Sequence, residues 1–187
     1  MGSIAEAKAG QRAVFFVDAA HFVLAAFLGY LWSLKRIFIQ SPSGRQRFNV
    51  LGALNAVTHE LITVTNDTYI NAASVCELLH KLADLHLDVP ITLVLDNARY
   101  QKCDLEQTTA KGLNIELCFL PPYSPNLNLI ERLWKFVKKE CLYSEYYTDF
   151  TKFKTAIRDC LGQTHTTHKD ALDSLLTLRF QTFEKPQ

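Results

Sequence analysis

Apolar positions along the chain fall into two rhythms. Short, almost continuous apolar runs rich in Val, Ile and Phe occur at residues 12–19 (RAVFFVDA), 61–65 (LITVT), 91–95 (ITLVL) and 115–120 (IELCFL), and residues 45–57 (RQRFNVLGALNAV) form a longer one. Runs of this length and composition predict strands, with a further short strand over residues 36–40 and a turn at Ser41-Pro42-Ser43-Gly44. Thr58-His59-Glu60 reads as the hairpin turn between the 45–57 and 61–65 strands. Elsewhere the period is helical. Residues 71–86 place apolar side chains at 75, 78, 79, 82 and 85 behind an Asn71 cap, and Val89-Pro90 closes that segment. Helices are also predicted over residues 103–111, stopping at Gly112, and over 149–161 and 169–183.

The order is therefore three strands, helix, strand, helix, strand, then helices. Residues 91–95 are apolar on both faces, as expected of a central parallel strand reached by a crossover. The fold class this implies is α/β: a ribonuclease H-like mixed sheet of about five strands, with a three-stranded antiparallel meander and parallel strands, flanked by helices.

Residues 120–139, LPPYSPNLNLIERLWKFVKK, hold the densest information. Pro121, Pro122 and Pro125 enforce an extended, stiff loop. Asn126 and Asn128 then offer capping side chains to a helix with no Gly or Pro. On that helix Ile130, Leu133, Trp134, Val137 and Cys141 make one stripe, and Glu131, Lys135 and Lys138 lie along another face. The plain reading of Glu131 is a first-turn acid pairing with Lys135 in solvent.

Its surroundings change that reading. Asp18 and Asp96 each end a predicted strand, and in this topology those two strands are neighbours in the middle of the sheet. The helix after the fifth strand can bring Glu131 over them. Three gathered carboxylates repel unless a cation is present. Hard oxygen ligands with no His or Cys cluster point to Mg²⁺ or Mn²⁺. Two such ions, roughly 3.5–4 Å apart, can activate a water or a 3′-hydroxyl and stabilise the leaving oxygen of a phosphodiester.

Composition narrows the class. With 48% hydrophobic and 21% charged residues among 187, the chain is an ordinary globular protein and long enough for one substantial core. A net charge of +1 leaves the partner open, but basic residues are dense between Lys135 and Arg158. Five widely spaced cysteines, with no CxxC, argue for a reducing compartment rather than a disulfide scaffold or zinc knuckle. The apolar stretch over residues 13–34 is broken by Asp18 and His21, and neither a membrane span nor a signal peptide is expected from it. Residues 1–11 read as a tag or disordered lead-in.

VDAAHF, LVLDNARYQ and FLPPYSPNLNLIERLWKFVKK resemble the three catalytic motifs of the DDE transposases of the mariner-type superfamily, in its bacterial insertion-sequence branch. Residues 97–130, 34 in all, separate Asp96 from Glu131, a spacing typical of that group. The resemblance spans about residues 15–139. It implies Asp18, Asp96 and Glu131 as the catalytic and metal-binding triad, holding Mg²⁺ or Mn²⁺, with two ions expected. Asn97, Gln101, Pro122, Tyr123 and Asn128 would support the motifs. It further implies cleavage at transposon ends and strand transfer, double-stranded DNA as partner, a homodimer or higher synaptic assembly, and a bacterial cytoplasmic, nucleoid-associated location. Ala19 stands where an acid commonly follows the first Asp, and Gln101 where a His is frequent. Nothing before Phe15 resembles a helix-turn-helix region, so a single catalytic domain is expected over residues 12–187.

Around the triad, Arg99, Lys102, Arg132, Lys135, Lys138 and Lys139 are candidate DNA contacts, against the plainer view of a solvated face. His165 and His168 read as helix-start residues, and Trp32 and Trp134 as core. The alternatives are another ribonuclease H-like nuclease, such as a resolvase or an RNA–DNA hybrid nuclease, and a non-catalytic, transposase-derived protein that binds DNA or assembles with a longer copy.

Overall fold

The computed structural model describes residues 2–24, 46–96, 103–121, 125–143 and 145–178. Five strands, β1 (Ala13–Val23), β2 (Arg47–Asn55), β3 (Leu61–Asn66), β4 (Ile91–Leu95) and β5 (Ile115–Phe119), form one sheet in the order β3-β2-β1-β4-β5. β1, β2 and β3 pair antiparallel, whereas β4 lies parallel to both β1 and β5. The predicted meander and parallel half are thus both present, with β1 in the centre.

Alternation along β1 sends Ala13, Phe15 and Val17 to one face and Val14, Phe16, Ala20 and Phe22 to the other. The first face is covered by α2 (Ala72–Ala83) and α3 (Asp104–Gly112), the second by α4 (Ile130–Cys141) and α5 (Phe150–Gly162). In α2 the apolar stripe Val75, Leu78, Leu79 and Leu82 is buried, and the Asn71 side chain caps the helix reciprocally with Ser74. In α4, Ile130, Leu133, Trp134 and Val137 are buried as the periodicity requires.

Several boundaries differ from expectation. β1 continues to Val23 instead of stopping near Asp18, because it stays paired with β2 as far as Val23↔Arg47 after its pairing with β4 ends at Val17↔Leu95. The β2–β3 turn begins earlier than Thr58: Asn55 Oδ1 accepts from the backbone N–H groups of Val57 and Thr58, and His59 takes φ +58°. The last helix, α6, covers Lys169–Leu175 and has ended by Leu176, and residues 179–183 of the predicted helix lie outside the described residues. Residues 2–8, expected as a disordered lead-in, form α1 (Gly2–Lys8). Its Ala7 is buried, and Glu6 accepts from Arg12 Nε at 2.6 Å. Arg12 also reaches Thr92 and Glu116, so one guanidinium joins α1 to β4 and β5. The predicted strand over 36–40, the turn at 41–44 and Trp32 lie outside the described residues.

Candidate active site

The site is assembled at the point where β1 and β4 part. Their parallel register ends with Val17 opposite Leu95, so Asp18 and Asp96 are the next residue on each strand. By alternation Asp18 faces the α4 side of the sheet, in the row Phe16, Asp18, Ala20. Glu131 occupies the first turn of α4, the helix that packs across β1 and β2 on that side.

The other two acids are near enough to act on Asp18. The Asp18 carboxyl is pushed up from its ordinary value of 3.8 to about 7, first by burial and then by the negative charges of Glu131 and Asp96. Two neutral donors oppose the shift, the Ala19 backbone N–H and the Trp134 indole N–H, the latter 3.0 Å from Asp18 Oδ2. Among the described residues Glu131 has no ion pair with Lys135 or Lys138, so the solvated-pair reading of that glutamate does not hold. The charges of Glu131 and Asp96 thus act on the Asp18 carboxyl, and the two groups that oppose them there are neutral. Carboxylate oxygens are the hard donor set that Mg²⁺ or Mn²⁺ takes. Among the described residues no three His, Cys, Asp or Glu side chains already stand at metal-holding spacing, and drawing like charges that close is costly without a cation.

The loop before α4 is fixed from beneath. Asn128 does not cap the helix, whose N-cap is Leu129. Instead its buried amide donates to the Val17 carbonyl at 3.2 Å, joining the loop to β1 beside Asp18, while its Oδ1 has no partner among the described residues. The amide N–H₂ is a donor, and the start of a helix presents free N–H groups rather than acceptors, so the Val17 carbonyl is the partner it takes. Asn97, Arg99, Gln101, Lys102, Pro122 and Tyr123 lie outside the described residues.

The predicted basic face divides. Lys135 and Lys139 are exposed, Lys138 is partly so, and none of the three is in an ion pair among the described residues. Arg132, expected with them as a DNA contact, is committed elsewhere: its Nη1 donates to the Thr177 carbonyl at 2.6 Å and to that of Leu175 at 3.3 Å, closing the end of α6. Lys154 pairs with Asp67 at 2.6 Å, and Arg158 lies over the Phe48 ring. His168 is the N-cap residue of α6 and packs edge-on against Phe136.

Composition and periodicity missed one residue of this site. Gly52 lies opposite Asp18 in the β1–β2 register, and a Cβ there would stand 2.8 Å from Trp134 Cη2. A glycine inside an otherwise apolar strand is the signal that a neighbour approaches closely.

Comparison with known proteins bears on the family and the fold. The sequence profile of the DDE superfamily endonucleases matches residues 13–154. The chain belongs to the DDE superfamily endonucleases. A curated superfamily relative, an "Insertion element IS630 uncharacterized 39 kDa protein" of Shigella sonnei, is 26% identical over 128 residues, 67% of this chain and 37% of that protein. Among solved structures, the Mos1 strand transfer complex superposes with TM-score 0.58 at 12% identity, covering 93% of this chain and 56% of that one. The Mos1 mariner paired end complex with Mn gives 0.56 at 11% identity, over 91% and 57% of the two chains. The HTLV-2 integrase catalytic core domain in complex with magnesium gives 0.55 at 12% identity, over 82% and 86%. These likenesses establish a ribonuclease H-like fold of the transposase and integrase kind. The chain spans just over half the length of the Mos1 chains and little more than a third of the insertion-element protein. Among the described residues no helix is long and apolar enough to cross a membrane.

Proposed function

We propose that this chain is the catalytic domain of an insertion-sequence transposase, cutting DNA strands at transposon ends and joining the freed 3′-hydroxyl to target DNA. The observation that carries the reading is the register that sets Asp18 beside Asp96 where β1 and β4 diverge, with the charge of Glu131 acting on the same carboxyl.

In this reading Asp18, Asp96 and Glu131 hold divalent cations, Mg²⁺ or Mn²⁺, two in number. Bound there, the cations would lower the pKa of a water or 3′-hydroxyl and neutralise the leaving oxygen in an in-line displacement. The chain's own part is positional. β1 and β4 present two carboxylates from rigid strands, Asn128 anchors the loop that leads into α4, and α4 carries the third acid. Lys135, Lys138 and Lys139, on the same helix, have no ion pair among the described residues and suit phosphate contacts beside the reacting bond. Arg99 and Lys102, following Asp96, are assigned the same task, and Asn97, Gln101, Pro122 and Tyr123 a supporting one. The partner is double-stranded DNA, in a synaptic homodimer or larger assembly, in the bacterial cytoplasm beside the nucleoid. The insertion-element relative and the Mos1 complexes support this reading.

The test is Mn²⁺- or Mg²⁺-dependent nicking of supercoiled plasmid and joining of pre-cut ends, paired with Mn²⁺ calorimetry. Asp96→Asn is expected to abolish both cutting and cation binding while the chain stays folded. Equal cutting, or equal cation binding, by parent and variant would refute the triad and favour a non-catalytic DNA-binding role.

A further inference from the structure

We propose that Trp134 is a positioning residue for the first carboxylate of the triad: its indole N–H, admitted over the sheet by Gly52, pins one Asp18 oxygen and so sets the direction in which the other is offered to a cation. This rests on the function proposed above and assigns a role that the helical pattern alone gave to the core.

Four observations carry it. First, the indole nitrogen is only a donor, so the 3.0 Å contact with Asp18 Oδ2 has one possible polarity whatever the state of its surroundings. Second, Trp134 is 2% exposed, where a rotamer change would leave the N–H unsatisfied. Third, the ring is held on two sides. A Cβ at position 52 would lie 2.8 Å from Cη2 and 3.0 Å from Cζ2, closer than side chains pack, so glycine alone leaves room for the ring at this height. On another side Phe22 meets the indole edge-on, with centroids 6.4 Å apart and planes at 84°. Fourth, Trp134 stands three positions after Glu131, about one turn further along α4, so a single helix delivers both the third acid and the donor that orients the first. A Leu or Phe at 134 could fill the volume but could not hold the carboxylate.

The consequence is a tryptophan that senses the cation. Outer hydrogen bonds that orient a ligand commonly change metal affinity about 10- to 100-fold when removed. The decisive variant is Trp32→Phe with 3-benzothienylalanine at position 134, which keeps the ring shape and replaces the N–H with sulfur. Its Mn²⁺ affinity by calorimetry is expected to fall about tenfold relative to Trp32→Phe, at a closely similar unfolding temperature. Independently, Mn²⁺ is expected to quench the Trp134 emission of Trp32→Phe, with the calorimetric midpoint.

Unchanged affinity in the analogue, or emission that ignores bound Mn²⁺, would overturn the positioning role, provided Asp18→Asn has lost cation binding. Should Asp18→Asn bind Mn²⁺ as tightly as the parent, the assignment of the carboxylates fails instead, and the two failures are thereby told apart.

Discussion

Two buried carboxyls with similar numbers mean different things. Asp18 is driven to about 7 by burial together with two neighbouring acids, while Glu106 is driven from 4.5 to about 7 by burial alone. Glu106, in the first turn of α3, is fully enclosed and neither of its oxygens has a hydrogen-bond partner among the described residues. Below its ordinary value both folded and unfolded chains carry the proton, and Glu106 adds no pH-dependent penalty. Between pH 4.5 and about 7 the unfolded chain ionises first, so stability must fall as pH rises and stay low above that window. The full loss is about 3 kcal/mol at most. Glu106→Met, which fits the same volume, is expected to flatten urea-unfolding stability across this window and to be the more stable form at pH 8; an unchanged slope would assign the pH dependence to other groups. In the sequence Asp18 and Asp96 are visible as acids after apolar runs, whereas Glu106 looks like any polar residue of a helix. Burial cannot be read from a residue's type.

At the scale of elements, α4 organises the molecule. Its stripe was legible because Ile130, Leu133, Trp134 and Val137 recur at helical spacing, and all four are buried. How close it sits to the sheet was not, since that depends on a glycine two strands' pairing away in sequence. Gly52→Ala is expected to force the Trp134 ring and the Ile130 Cδ1, 3.0 Å from the added methyl, away from β2, at a cost of about 1–3 kcal/mol in chemical denaturation. A variant as stable as the parent would mean that α4 shifts freely. The β1 boundary went wrong for a related reason: an apolar run stopping at an acid looks like a strand end, yet antiparallel pairing with β2 carries the backbone through Asp18 to Val23.

At the scale of the whole molecule, the charge is distributed rather than simply near balance. Arg132, Lys154 and Arg158 are taken up by protein groups, which leaves Lys135, Lys138 and Lys139 as the α4 cations available to a polyanion. If these meet phosphate, Lys135→Ala and Lys139→Ala should each make the slope of log affinity against log salt shallower by about 0.9 on duplex DNA, with little change in folding. Identical slopes in parent and variants would remove α4 from the DNA interface. Basic density along the sequence overstates such a surface, because only the folded chain shows which cations are already engaged by protein groups.

Local chemistry was enough for the alternation of strands and helices, the Asn71 cap, the α4 stripe and the three acids, since each depends on residues within a few positions of one another. Three things needed the assembled chain: the register that sets Asp18 beside Asp96, the hydrogen bond from Trp134 to Asp18 through the space at Gly52, and the diversion of Arg132 to the carbonyls after α6. Each joins residues more than forty positions apart. Pairing across such distances is chosen by the packing of whole elements, a property that no short window of sequence contains.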